Sequence, residues 1–140
     1  MRVFFDSSAF AKRYVHEAGT AAVLVWCERA TEICLSAVAL PEIVSALCRL
    51  QREAKLTQQQ YRHIKSLLLA DVEDIAISDV TAAVIQRAFN CLENNALRGM
   101  DAIHIASALA PKADVFVSAD ARQCDAAANA GLAVDRLGAD

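Results

Sequence analysis

Four acidic residues stand in unusually apolar company in this chain. Asp6 directly follows Val3-Phe4-Phe5, and Glu42 sits between Pro41 and Ile43. Asp101 lies in Met100-Asp101-Ala102-Ile103-His104, and Asp120 comes just after Val115-Phe116-Val117-Ser118. An ionised carboxylate is seldom left buried and unpaired, because desolvation costs several kcal/mol or forces its pKa to shift. Each acid alone has a plain reading as an ion pair or a charge at a helix start, and Asp6 also suits a helix cap. Together they point to carboxylates sharing a hard divalent cation, which relieves their mutual repulsion.

The elements needed to gather these acids can be read from apolar periodicity. Val3-Phe4-Phe5 forms a continuous apolar run, the pattern of a strand buried on both faces. Ser7 or Ser8 is expected to cap a helix reaching about Val15, and a second helix covers residues 20–29. Residues 33–35 read as a strand, and Ser36 opens a long helix to about Ala54 that tolerates Pro41 in its first turn. Thr57 with Gln60 forms a capping-box pattern for a helix to about Ala70. An edge-like strand is expected over 72–77, then a helix capped by Ser78 or Asp79 and ending near Asn94. Helices over 99–109 and 119–130 flank a strand at 115–117, with a last short strand at 132–134. Strands alternating with helices imply one α/β domain over residues 1–140, a parallel sheet with helices on both faces. If the strands at 3–5 and 115–117 are neighbours, Asp6 and Asp120 open into the same crevice at their carboxyl ends.

Hydrophobic residues make up 56% of the chain, above the usual share of about 45–50%. This excess favours an exposed apolar patch that a partner covers. No apolar run reaches membrane-spanning length, and Asp6 argues against a secretory leader, so a cytoplasmic protein is expected. The five scattered cysteines contain no C-x-x-C pair, which disfavours zinc-ribbon and redox sites and suits reduced core thiols. A net charge of −3 disfavours purely electrostatic binding of nucleic acid. It leaves room for a nucleic-acid enzyme whose bound cation neutralises both acids and phosphate.

Asp-Ser-Ser-Ala at residue 6, Pro-Glu-Ile at 41, Arg-Gly-Met-Asp-Ala-Ile-His-Ile-Ala at 98 and Val-Phe-Val-Ser-Ala-Asp at 115 together resemble a PIN-domain ribonuclease. More narrowly, they resemble the VapC-type toxins of toxin–antitoxin pairs. The resemblance runs from Asp6 to Val134 in the family's order. It implies a PIN-like three-layer fold with about four to five strands. It also implies that Asp6, Glu42, Asp101 and Asp120 bind Mg²⁺ or Mn²⁺, with Ser8 and Ser118 as supporting hydroxyls. A bound divalent ion of this kind activates water for attack on phosphorus and stabilises the leaving oxygen, so no protein nucleophile is required. The implied activity is cleavage of RNA, and the implied partners are an antitoxin and a second copy of the chain in a homodimer.

Asp125, a candidate for the further acid often found in the family, reads rather as a solvated helix residue. His104 reads as packed and hydrogen-bonded, and Lys12, Arg13, Arg98 and Arg122 are candidates for holding phosphates. A dehalogenase-type phosphohydrolase would want a second Asp at position 8, where Ser stands. The remaining alternative is a catalytically inactive PIN-like module serving in RNA binding or assembly.

Overall fold

Val3, Phe4 and Phe5 are fully buried, as an apolar run without alternation requires of a strand covered on both sides. In the computed structural model, which describes residues 1–138, they belong to β1 (Arg2–Phe5), the centre of a five-stranded sheet. β1 pairs in parallel with β2 (Glu32–Ser36) on one side and β4 (Val115–Ser118) on the other. β3 (Ala76–Ser78) and β5 (Val134–Arg136) form the two edges, giving the order β3-β2-β1-β4-β5. The chain thus builds outward through β2 and β3, then crosses back to lay β4 beside β1. That reversal makes a topological switch point at the carboxyl ends of β1 and β4, where open α/β sheets form their ligand crevices.

Successive residues of a strand face opposite sides, and β1 divides its side chains accordingly. Val3 and Phe5 join Leu35 and Val117 against α1 (Ser7–Ala11), α2 (Thr20–Arg29), α3 (Ala39–Arg52) and α4 (Gln58–Val72). Phe4 joins Cys34 and Phe116 against α5 (Ala82–Asn94), α6 (Gly99–Leu109) and α7 (Ala121–Asn129). The Phe4 and Phe116 rings stack with centroids 5.6 Å apart. Ala102, Ala106 and Ala108 have no exposed surface, so α6 packs closely and can carry Asp101 and His104 into the interior.

The structure corrects several expected boundaries. α1 is capped by Asp6 and ends at Ala11, short of Val15. Ser36 completes β2 opposite Ser78 instead of opening α3, and its Oγ accepts from the Val38 N–H at 3.3 Å. Because Ser78 is committed to β3, Thr81 takes over as the cap of α5. β3 starts at Ala76 because Val72 continues the apolar stripe of α4 that buries Ile64 and Leu68. α7 runs over Ala121–Asn129 and closes in a Schellman turn at Gly131 (φ 96°), with Gly131 N–H bonded to Ala128 and Leu132 N–H to Ala127. Leu132 is thereby buried in the core, and β5 begins two residues later than expected. The Thr57–Gln60 capping box forms as expected.

Candidate active site

Asp6 is 1% exposed at the carboxyl end of β1. Its Oδ1 accepts the Ala9 N–H at 2.8 Å and the Ser8 hydroxyl at 3.3 Å, while its Oδ2 accepts the Ser118 hydroxyl at 2.5 Å. Cap and buried acid are therefore one residue. Burial pushes the Asp6 carboxyl above its ordinary pKa, against the lowering effect of the Ser118 and Ala9 hydrogen bonds. Among the described residues no Lys, Arg or His makes an ion pair with it.

β4 brings the second acid. Ser118, fully buried at the strand end, donates to Asp6 and accepts from the Asp120 N–H at 3.0 Å. Asp120 caps α7 through Oδ1, which accepts the Arg122 and Gln123 N–H groups at 2.8 and 3.3 Å. Its Oδ2 accepts no hydrogen bond among the described residues.

Asp101, in the first turn of α6, is 9% exposed. Gln123 Nε2 donates to its Oδ1 at 3.0 Å, and Arg98 Nε donates to its Oδ2 at 3.3 Å. Glu42, in the first turn of α3, is half-buried. Its Oε1 accepts from the Ser7 hydroxyl at 2.5 Å and from His104 Nε2 at 2.6 Å. The His104 hydrogen bond holds the Glu42 carboxyl below its ordinary range, outweighing partial burial. His104 is buried, and its Nδ1 has no partner. With the Glu42 carboxylate as acceptor, Nε2 is the donor of this pair, and it also lies 3.0 Å from the Ser7 hydroxyl.

Asp6, Glu42, Asp101 and Asp120 line a single cavity of about 150 Å³ with Ser7, Ser8, Arg98, His104 and Gln123. The structure thus brings together the acids singled out from sequence, with Ser8 in the wall and Ser118 supporting Asp6. Asp125 is exposed and lies outside the lining. Lys12 pairs with Glu17 and Arg13 with Asp71, so neither lines the cavity, nor does Arg122. His104 is packed and hydrogen-bonded as expected. Sequence reasoning missed Gln123 and the role of Ser7. Gln123 carried one usable signal, its place one helical turn after the Asp120 cap.

The donor set fits a hard divalent cation. It consists of carboxylate and hydroxyl oxygens without thiolate, the kind favoured by Mg²⁺ and Mn²⁺, and its most buried acid lacks a cationic partner. Among the described residues no group of three His, Cys, Asp or Glu side chains is arranged to hold a metal ion. Internal donors hold two of the acids instead, Arg98 at Asp101 and His104 at Glu42. When bound, a divalent ion at such a site activates water and stabilises charge on a phosphoryl oxygen. The chain's own contribution is orientation, with Ser118 fixing Asp6, Gln123 fixing Asp101, and Ser7 with His104 fixing Glu42.

A parallel sheet with an acid cavity at its switch point defines an α/β class with the binding site on the strand ends. Within that class, the profile described as PIN domain matches residues 3–129. Ribonuclease VapC45 of Mycobacterium tuberculosis (strain CDC 1551 / Oshkosh) is 36% identical over 115 residues, covering 77% of this chain and 75% of the relative. The chain therefore belongs to the PIN-domain family, among the VapC ribonucleases. Its fold is shared by VapBC2 from Rickettsia felis, solved bound to a DNA fragment from its promoter (TM-score 0.70, 14% identity, 99% of this chain and 100% of that one). M. tuberculosis VapC20, described as a Sarcin-Ricin loop cleaving toxin, also shares it (TM-score 0.68, 18% identity, 96% and 98%).

Proposed function

We propose that this protein is an endoribonuclease acting as the toxin of a toxin–antitoxin pair, with Mg²⁺ or Mn²⁺ as cofactor. Asp6, Asp101 and Asp120 are the proposed metal-holding acids, with Glu42 as the fourth acid of the set. The observation that carries the reading is Asp6, a buried carboxylate with no direct ion pair among the described residues, at the switch point of a VapC-family sheet. The substrate is RNA and the controlling partner an antitoxin, in keeping with related folds solved as toxin–antitoxin complexes. Exposed Leu24, Val25, Leu67, Leu69 and Phe89 offer apolar surface for the antitoxin or for a second copy in a homodimer. No helix among the described residues is long and apolar enough to cross a membrane.

Single-stranded RNA incubated with purified protein tests this. Cleavage is expected with Mg²⁺ or Mn²⁺, is abolished by EDTA, and falls at least about a hundredfold in Asp6→Asn and Asp101→Asn, since even outer partners of metal ligands contribute 10–100-fold. Equal cleavage by all three proteins, or cleavage indifferent to EDTA, would refute the metal site. RNA binding without cleavage in any metal would favour an inactive module.

A further inference from the structure

Two further cavities adjoin the acid cavity at Glu42. A second cavity of about 410 Å³ continues along α3, lined by Glu42, Ser45, Ala46, Arg49, Arg52 and Met100 among others. A third, of about 470 Å³, shares Glu42, Arg98, Met100 and Asp101 with its neighbours. Glu42 lines all three, so they adjoin one another around its side chain, and the two outer cavities together make a groove beside the site.

The sequence of α3 accounts for the groove. Glu42, Ser45, Ala46, Arg49 and Arg52 recur at helical spacing on one stripe, while Ile43 and Leu47 face the core. The small side chains Ser45 and Ala46 leave the floor open. Arg49 and Arg52 stand seven and ten residues beyond Glu42, about 10 and 15 Å along the helix axis. Both are exposed. Arg49 makes only a loose contact with Glu53 at 4.0 Å, and Arg52 has no acidic partner among the described residues. Guanidinium groups in this state suit phosphate, whose oxygens match their forked donors. Met100 keeps 41% of its surface exposed beside the groove, where its polarizable thioether can pack on a base. No aromatic residue lines the groove, so it offers little stacking and holds the strand chiefly by its backbone.

We propose that this groove is the exit path of single-stranded RNA, with Arg49 and Arg52 as ligands for phosphates on one side of the scissile bond. The inference rests on the endoribonuclease reading, because the groove's place beside a phosphodiester-cleaving site is what selects RNA over an acidic peptide.

Binding of a labelled oligouridine, measured across a range of salt concentrations in the Asp101→Asn chain, tests the groove without strand loss. Replacing both arginines (Arg49→Ala with Arg52→Ala) is expected to weaken binding roughly tenfold, as loss of two exposed ion pairs would. It should also reduce the log–log salt slope by about 1.4, two phosphate contacts at ~0.7 each for single strands. Arg49→Lys with Arg52→Lys keeps both charges and should restore most of the slope. Arg87→Ala, on α5 outside all three cavities, should change neither quantity. An unchanged affinity and slope in the double Ala variant overturns the proposal. Hydrolysis of a small chromogenic phosphodiester by the wild-type chain with Mn²⁺ separates the two claims. Hydrolysis with an unchanged RNA slope sinks the groove alone. A reduced slope without any hydrolysis supports a strand-binding groove and sinks the nuclease reading.

Discussion

Asp71 and Asp6 are two acids pulled in from water by the same small domain, and the chain treats them in opposite ways. Asp71, near the end of α4, accepts from Arg13 Nε at 3.2 Å and from the Tyr14 hydroxyl at 2.6 Å. Its charge has a cation, and the trio ties the turn after α1 to α4. Burial, reinforced by the bond to Asp71, pushes the Tyr14 hydroxyl well above its ordinary pKa, so it stays a donor. Asp6 is far more deeply buried, yet it receives only hydroxyl and amide donors. One acid completes a structural joint. The other is a destabilised charge that the fold retains at a cavity containing three more acids. On the proposed reading a cation from outside neutralises this charge, and buried, perturbed acids in a cavity are what such a site requires.

The largest test of this contrast removes the charge at Asp6. Its folded pKa lies above the ordinary value of 3.8, so between the two values the folded state binds more protons than the unfolded. Ionised Asp6 therefore costs stability at neutral pH. The cost disappears as pH falls through the folded pKa, and the gain is complete below 3.8. Metal-free Asp6→Asn, which can still cap α1, should melt a few degrees above wild type at pH 7, at about 2–4 °C per kcal/mol for a chain of this size. The gap should close towards pH 4. Saturating Mn²⁺ should reverse the order, since a ligand at a hundredfold excess over its Kd stabilises by about 2.7 kcal/mol and the variant loses that gain. A metal-free variant no more stable than wild type, or an equal Mn²⁺ shift in both, would break the contrast.

The opposite outcome is expected at Asp71. Asp71→Ala strips the partner from Arg13 and Tyr14 and should destabilise by about 2 kcal/mol, the range for a hydrogen bond to a charged group with the half-exposed Arg13 pair adding little. Denaturant unfolding measures this. The thermal shift with Mn²⁺ should match that of wild type, because Asp71 lies outside the acid cavity. Loss of the Mn²⁺ response would mean that the two regions are not independent.

What the sequence showed of this contrast follows from which signals are local. The apolar run ending in Asp6, the Thr57 capping box and the acids within apolar turns are properties of neighbouring residues, and they picked out the central strand and the four acids that line one cavity. Features set by distant partners stayed hidden. Ser36 looks like a helix cap until β3 pairs with it, and Ser78 is unavailable to α5 for the same reason. Gln123 and Ser7 acquire roles only when α7 meets α6 and α1 meets α3. Proximity in sequence also misled. Lys12 and Arg13 follow Asp6 within the same short segment of chain, yet they pair with Glu17 and Asp71. Arg49 and Arg52 carry no local signal, and only the direction of α3 lays them along a cavity beside the acids.

The smallest expected effect separates the two hydroxyls that the resemblance grouped as supports. Ser118 donates to Asp6 at 2.5 Å within the core and also accepts the Asp120 N–H, so it orients two acids at once. Ser8 reaches Asp6 only at 3.3 Å and is exposed. Ser118→Ala removes the hydrogen bond that does most to offset the burial of Asp6 and leaves the Asp120 N–H short of a partner. Mn²⁺ affinity, read by calorimetry at pH 7, should fall about tenfold, the lower end for outer partners of a metal ligand. Ser8→Ala should cost no more than about threefold, since a long, solvated hydrogen bond contributes at the bottom of the usual range. Equal losses in the two variants would mean that Asp6 is oriented by its backbone cap at Ala9 rather than by the hydroxyl that bridges it to Asp120.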